Sequence, residues 1–353
     1  MKEDFALDWE DTGTTGDEAN PPRPPLISFY KPSELRSFMP DENAVLVGDC
    51  HITRGEVFVI GGEPGVGKST AATELAICGA VGANWLGLTV HGRFKTLIIQ
   101  NENGRYRLKQ EYDLRGISEE IDSHILVSEP PPFGMMLTDP EFLSDIHSVI
   151  DSFRPDVVLF DPWNSAAKDD KAADYSAAFD ALRRMLPDGP MRPALGIVAH
   201  TRKPHQNEKR IGGSSLMHGL AGSYVITSVP RAIFIMVRGT AIETDNSVVW
   251  FNPKNSNGPC AARTAWQRSP SGFLPIPDFN WKDFDGGKDG RKIIRLEHLQ
   301  EALGEGSLSH AEAVKRLMAA SECGERACQI ALKPDGKFAA NLVFKGKKLG
   351  FRV

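Results

Sequence analysis

Residues 61–70 read GGEPGVGKST, and Gly62, Glu63, Pro64, Gly65, Val66, Gly67, Lys68 and Ser69 fit the spacing GxxxxGK[ST] without a gap. Glycines at those positions let a loop wrap so that backbone N–H groups point inward at phosphate oxygens. Lys68 then reaches the β and γ phosphates, and the Ser69 hydroxyl can ligate Mg²⁺. The flanks supply the setting this chemistry needs. EVFVIGG reads as a strand running into the loop, and TAATELAICGAVG, beginning at Thr70, as part of a helix leaving it, with its positive N-terminal end toward the anion. Residues 62–70 are therefore expected to hold a nucleotide, with ATP and Mg²⁺ as the natural pair.

Cleaving that nucleotide takes further groups, which must position a water and a metal and stabilise charge as the γ-phosphate leaves. Three other apolar runs end in residues suited to it. DVVLFDPW places Asp161 at the tip of a buried strand, where the ligands of parallel sheets bind, and makes it a carboxylate for Mg²⁺ alongside Ser69. KTLIIQNENG carries Glu102 just past its strand, where a carboxylate can polarise the attacking water. ALGIVAHTRKP ends in His200, suited to hydrogen-bond a γ-phosphate. Taken singly, each has a plainer reading: Asp161 as a turn residue before Pro162, Glu102 as a turn carboxylate, His200 as a structural histidine.

The elements that must position these groups follow from the alternation of the chain. Short β-rich runs (EVFVIGG, KTLIIQ, HILVS, DVVLF, ALGIVA, RAIFIMV, SVVWF) alternate with helical stretches, which means βαβ units and an α/β fold with a mostly parallel sheet covered by helices. With 353 residues the chain exceeds a comfortable single core, so a second, smaller module is expected. Residues 1–25 are acidic and end in PPRPP, a composition that reads as a disordered tail. Residues 26–275 form the α/β domain. GFLPIPDFNWKDFDGGKDG is rich in Pro, Gly and Asp without periodicity and reads as a linker, centred on 276–290. Residues 291–353 then offer RLEHLQEAL, SHAEAVKRLMAASE and GERACQIAL, followed by FAANLVFKGKKLGFRV, in which KGKK separates two strand-like runs. Three short helices and a hairpin fit a winged helix.

No run approaches the ~18 apolar residues of a membrane span, and the acidic N-terminus lacks an apolar signal core. The five cysteines are scattered without a CxxC pair, which indicates neither a disulfide framework nor a zinc site and fits a reducing cytoplasm. The net charge of −5 hides an asymmetry: residues 1–30 hold seven acids and two bases, residues 333–353 six bases and one acid. The basic end is suited to nucleic acid, although a solvated surface gives the same composition.

Together these residues resemble the RecA-like ATPases, most closely the branch of plasmid RepA-type and DnaB-type hexameric helicases, over about Val45 to Pro259. The approach LVGDCHITRGEVFVIGGEPGVGKS is similar to that family's first strand and loop. QNENGRYRLKQ resembles its acid and following helix, and VAHTRKP its His-Thr-Arg-Lys segment. The resemblance implies that Glu102 is the catalytic glutamate and His200 the γ-phosphate sensor. It further implies a ring of identical subunits, a hexamer, in which ATP lies between neighbours and a basic residue completes the site in trans. Arg231, leading the strand RAIFIM, and Lys254, in PKNSNGPC, are the matching positions; Ser256 stands where the family segment has arginine. Either Arg231 takes the role or hydrolysis is slow. HTRKPHQNEKRIGG, with Arg202, Lys203, Lys209 and Arg210, falls where the family lines its pore with DNA contacts, or is a solvated loop. In the C-terminal module Arg326 would face the major groove, and Lys337, Lys345, Lys347 and Lys348 the DNA backbone; a protein-docking module is the alternative. The expected activity is ATP hydrolysis coupled to DNA binding and translocation, as in a replicative helicase. An ATP-gated DNA-binding regulator or a recombination or repair accessory ATPase remains the other reading.

Overall fold

The computed structural model describes residues 29–115, 119–137, 139–163, 172–201, 213–220, 224–240, 242, 244–286, 294–304, 306–321, 323–346 and 348–352. Contacts divide the chain into a short unit, Met1–Asp41, and a long one, Glu42–Val353. Within the short unit, helix α1 (Pro32–Ser37) starts on a proline and buries none of its residues.

The long unit opens on a two-stranded ribbon, β1 (Val45–Val47) with β2 (Ile52–Thr53). Next come β3 (Val57–Gly62), α2 (Lys68–Val81), β4 (Thr96–Gln100), α3 (Arg105–Leu114), β5 (Ile125–Val127), α4 (Pro140–Phe153), β6 (Val157–Asp161), α5 (Ala172–Met185) and β7 (Ala194–His200). Then follow α6 (Val225–Ser228), β8 (Ala232–Arg238), β9 (Ser247–Asn255), β10 (Thr264–Ser269), β11 (Gly272–Pro275) and α7 (Trp281–Gly286). Nine of these strands form one sheet in the order β11-β10-β9-β8-β3-β7-β6-β4-β5. From β8 to β5 every pairing is parallel; β9, β10 and β11 extend the sheet antiparallel. The fold is α/β with a mostly parallel sheet.

Period-two alternation in the strands explains why helices cover both faces. In β3, Val57 and Val59 join a core with Ile146 and Ile150 of α4 and Tyr175, Phe179 and Leu182 of α5. Phe58 and Ile60 point the other way, into a core with Ala71, Leu75 and Ala76 of α2. There Phe234 and Trp250 stack and Trp85 meets both edge-on, and the Trp85 indole donates to the Ala71 carbonyl at 2.9 Å, tying the chain after α2 back to its first turns.

Residues 272–286 of the Pro/Gly-rich stretch expected as a linker carry strand β11 and helix α7, and its remaining residues lie outside the described ones. Gly272–Pro275 is edge strand β11, paired to β10 in register from Ser269↔Gly272 to Trp266↔Pro275. Beyond it, Phe279, Trp281 and Phe284 pack on the α4/α5 core, the Arg263 guanidinium lies 4.3 Å from the Trp281 ring centre, and Arg263 grips Asp285 through two hydrogen bonds of 2.6 and 2.7 Å. Aromatic anchors at 279, 281 and 284 outweigh the loop-forming composition around them, a pattern with neither clean helical nor strand period.

The C-terminal residues run α8 (Leu296–Leu303), β12 (Leu308–Ser309), α9 (His310–Ser321), α10 (Glu325–Ala331), β13 (Leu342–Lys345) and β14 (Lys348–Phe351), with the strands ordered β12-β14-β13. They share a core of their own that includes Leu299, Leu303, Leu317, Cys328, Leu332, Leu342 and Leu349. Among the described residues no helix is long and apolar enough to cross a membrane.

Candidate functional site

Parallel strands in register bring residues far apart in sequence to one edge. Gly62 is level with His200, and Gln100 with Asp161, so the phosphate loop, Glu102, Asp161 and His200 all sit at the carboxyl ends of β3, β4, β6 and β7. The sheet reverses direction of winding here, the position where open α/β folds bind ligands.

The loop has the backbone its glycines allow. Gly65 and Gly67 take φ of 73° and 110°, conformations that L side chains rarely adopt. A Cβ on Gly67 would also lie 2.9 Å from Cδ of Arg268. Lys68 is buried and donates to the Glu63 carbonyl at 2.9 Å. Burial lowers its pKa to about 8, opposed by Asp161, Glu102 and Glu63 close by. Asp161 is also buried, and burial raises its pKa to about 6, countered by a hydrogen bond from Ser69 and by Lys68. His200 is shifted down, first by burial and then by Lys68. The expected residues thus form one electrostatic unit.

The Ser69–Asp161 contact is also the test of the metal. Among the described residues no group of three or more His, Cys, Asp or Glu side chains could hold an ion. One hydroxyl and one carboxylate side by side next to a phosphate cradle are instead the oxygen set from which Mg²⁺ is bound together with nucleotide phosphates. The donors fit that ion.

Glu102 is held in place by a residue the sequence reading passed over. The buried Gln100 side chain accepts from the amides of Glu102 (3.1 Å) and Asn103 (2.6 Å) and donates to the carbonyls of Asn103 (2.6 Å) and Ser128 (2.8 Å). The Asn101 amide donates to the Asp161 carbonyl at 3.0 Å, linking the two acidic strand ends. A second overlooked residue, Arg115, lies between α2 and α3 with its side chain only 3% exposed. It pairs with Glu74 of α2 and Glu111 of α3 and donates to the Thr70 carbonyl at 3.3 Å.

Arg238 and Arg268 complete the surroundings. Arg238 ends β8 and approaches Glu63 at 3.9 Å; Arg268, in β10, donates to the Gly65 carbonyl and, at 3.2 Å, to Asn246 Oδ1. Burial and then Arg238 hold the Arg268 guanidinium below its usual pKa. Neither was legible as a site residue, because sheet pairing between distant segments brings them to the loop: β8 beside β3 carries Arg238, and the antiparallel extension through β9 to β10 carries Arg268.

Arg231 and Lys254 are not part of this cluster. Arg231 donates its amide to the Val57 carbonyl at the start of β3, five strand residues, or about 17 Å, from Gly62. Its guanidinium is 3.6 Å from Glu56, and Lys254 Nζ donates to the Thr227 and Ser228 carbonyls at the end of α6. Lys254 is shifted down by burial and by Arg231. Of the DNA-contact positions, Arg326 is exposed on α10, Lys337 lies 5.2 Å from the Phe338 ring centre, Lys345 closes β13, and Lys348 is exposed at the start of β14. Arg202, Lys203, Lys209, Arg210 and Lys347 lie outside the described residues, as does the tail at 1–25.

Residues 27–206, just over half of the chain, match the sequence profile of the AAA domain family. The chain belongs to the AAA domain family. The match spans the phosphate loop, Glu102, Asp161 and His200, which makes this AAA domain a P-loop NTPase, and it ends before Arg231 and Lys254. Solved structures with a similar fold include the RadB recombinase, at 13% identity over 64% of this chain and 92% of that one, with a TM-score of 0.45. A KaiC-like protein from Pyrococcus horikoshii OT3 aligns at 15% identity over 68% of this chain and 99% of that one, also with a TM-score of 0.45. At these scores neither alignment bears on what the chain does. No curated protein matches the chain.

Proposed function

We propose that this AAA domain protein hydrolyses ATP and couples the hydrolysis to work on DNA as a ring of identical subunits, in the manner of RepA-type and DnaB-type helicases. The observation that carries the proposal is the convergence of Lys68, Ser69, Asp161, Glu102 and His200 on one sheet edge. In this reading the loop amides and Lys68 hold the β and γ phosphates. Ser69 and Asp161 would hold Mg²⁺, which would supply charge neutralisation at the phosphates when bound. Glu102, exposed and fixed by Gln100, orients the attacking water and takes its proton. His200, kept neutral, reads the γ-phosphate with a hydrogen bond. The topology α8-β12-α9-α10-β13-β14 supports the winged-helix assignment of residues 291–353, with α10 as its DNA-reading helix.

One observation favours the second reading. Arg231 pairs with its own chain's Glu56, and Lys254 donates to its own chain's α6 carbonyls, which suits slow turnover and a nucleotide-gated DNA-binding regulator. Steady-state ATPase rates of wild type and Lys68→Ala, each with and without single-stranded DNA, separate the two. A motor shows several-fold stimulation by DNA and a loss of about 100-fold or more in the variant. Turnover that ignores DNA sinks the helicase reading, and no turnover in wild type sinks the ATPase.

A further inference from the structure

The groups of the site are divided by strand β3. Glu102, Asp161 and His200 come from β4, β6 and β7 on one side of it in the sheet; Arg238 and Arg268 come from β8 and β10 on the other. A triphosphate whose γ end meets the acids and His200 therefore has its nucleoside end toward the two arginines.

Those arginines are arranged to receive an anion. They are like charges near enough to perturb one another, with the Glu63 carboxylate 3.9 Å from Arg238. Arg268 carries five N–H donors in a fixed fork, and its bonds to Gly65 and Asn246 occupy one each. Its stem lies over Gly67, and the Phe273 ring tip comes within 3.4 Å of the position a Gly67 Cβ would take, so an apolar wall stands beside the fork. A guanidinium fork suits a phosphate oxygen, and its flat face suits a nucleobase.

We infer that Arg238 and Arg268 form a clamp for the nucleoside end of the nucleotide, supplied by the same chain as the phosphate loop. The inference rests on the nucleotide-binding reading of that loop. The clamp meets the α-phosphate and base, which ADP and ATP share, and so it adds equally to the binding of both. Interactions of that kind alter KM and leave kcat in place.

The test is equilibrium binding of a fluorescent ADP and competition by ATP with wild type, Arg268→Ala, Arg268→Lys, Arg238→Ala and Asn246→Ala, alongside ATPase kinetics. Arg268→Ala is expected to weaken ADP and ATP by the same factor, about ten-fold or more, with KM raised and kcat at saturation within about two-fold. Arg268→Lys keeps the charge without the fork and falls between. Should Arg268→Ala not fold, as judged by circular dichroism, Asn246→Ala removes one anchor of the fork and should weaken both nucleotides several-fold. Unchanged affinity in these variants overturns the clamp, as does a loss confined to ATP or to kcat. A wild type that binds neither nucleotide instead overturns the reading of the loop itself.

Discussion

Asp161 shows how one buried carboxylate sets the working range of the site. Burial moves it from 3.8 to about 6, and burial moves Lys68 from 10.5 to about 8. In the proposed site a carboxylate is needed for the metal and an ammonium for the phosphates. MgADP affinity should therefore be highest between pH 6 and 8 and fall on either side, and Asp161→Asn should flatten the acid limb. The stability effect has the opposite sign. A raised carboxyl pKa favours the fold below pH 3.8, and that contribution is lost as pH rises through about 6. Without nucleotide, Asp161→Asn and wild type should melt alike near pH 4, and the variant should melt higher at pH 7.5. Equal melting temperatures across that range would remove the buried-charge account. The sequence reading reached Asp161, Lys68 and Glu102 through strand ends and loop spacing, which are local signals. It passed over Gln100 because a glutamine inside an apolar run carries no mark of its hydrogen bonds until the loop around it closes.

At the scale of elements, the β4–α3 turn is the sharpest case of a side chain doing the work of backbone pairing. Four hydrogen bonds converge on Gln100, and Gln100→Ala leaves buried polar groups at the turn without them. Its kcat should fall about ten-fold while ADP affinity holds, because the cradle is untouched and only the placement of Glu102 loosens. Restoration by added salt or by a tighter-binding nucleotide would contradict this. Strands β3 to β9 were legible from alternating apolar runs. Strands β10 and β11 were not, since TAWQRS, one strand in from the edge, mixes polar and apolar residues without a clean alternation and GFLP carries the punctuation of a turn. Their pairing is long-range information, and so are the positions of Arg238 and Arg268.

For the whole molecule, the placement of Arg231 at the opposite edge of the sheet from its own phosphate loop decides what an assembly can do. In the proposed ring, Lys68→Ala damages the site on its own chain, and Arg231→Ala damages the site of a neighbour. Each variant alone should be inactive, and an equimolar mixture should regain about a quarter of wild-type turnover, the share of interfaces with both residues intact under free mixing. A mixture as inactive as its components would assign Arg231 to its ion pair with Glu56 and nothing more. The three helices and the hairpin at the C-terminus were legible because each of these elements is short and locally coded.

The buried Arg115 has a consequence for motion. Its bonds to Glu74, Glu111 and the Thr70 carbonyl join the helix that begins at Lys68 to the helix that follows Glu102. The phosphate loop's helix and the helix after Glu102 are thereby coupled as one cooperative unit, and their amides should exchange with deuterium together, at a single opening free energy. A subunit built this way does not release product by swinging its glutamate aside. In the proposed ring, the side that opens would be the one a neighbouring subunit provides.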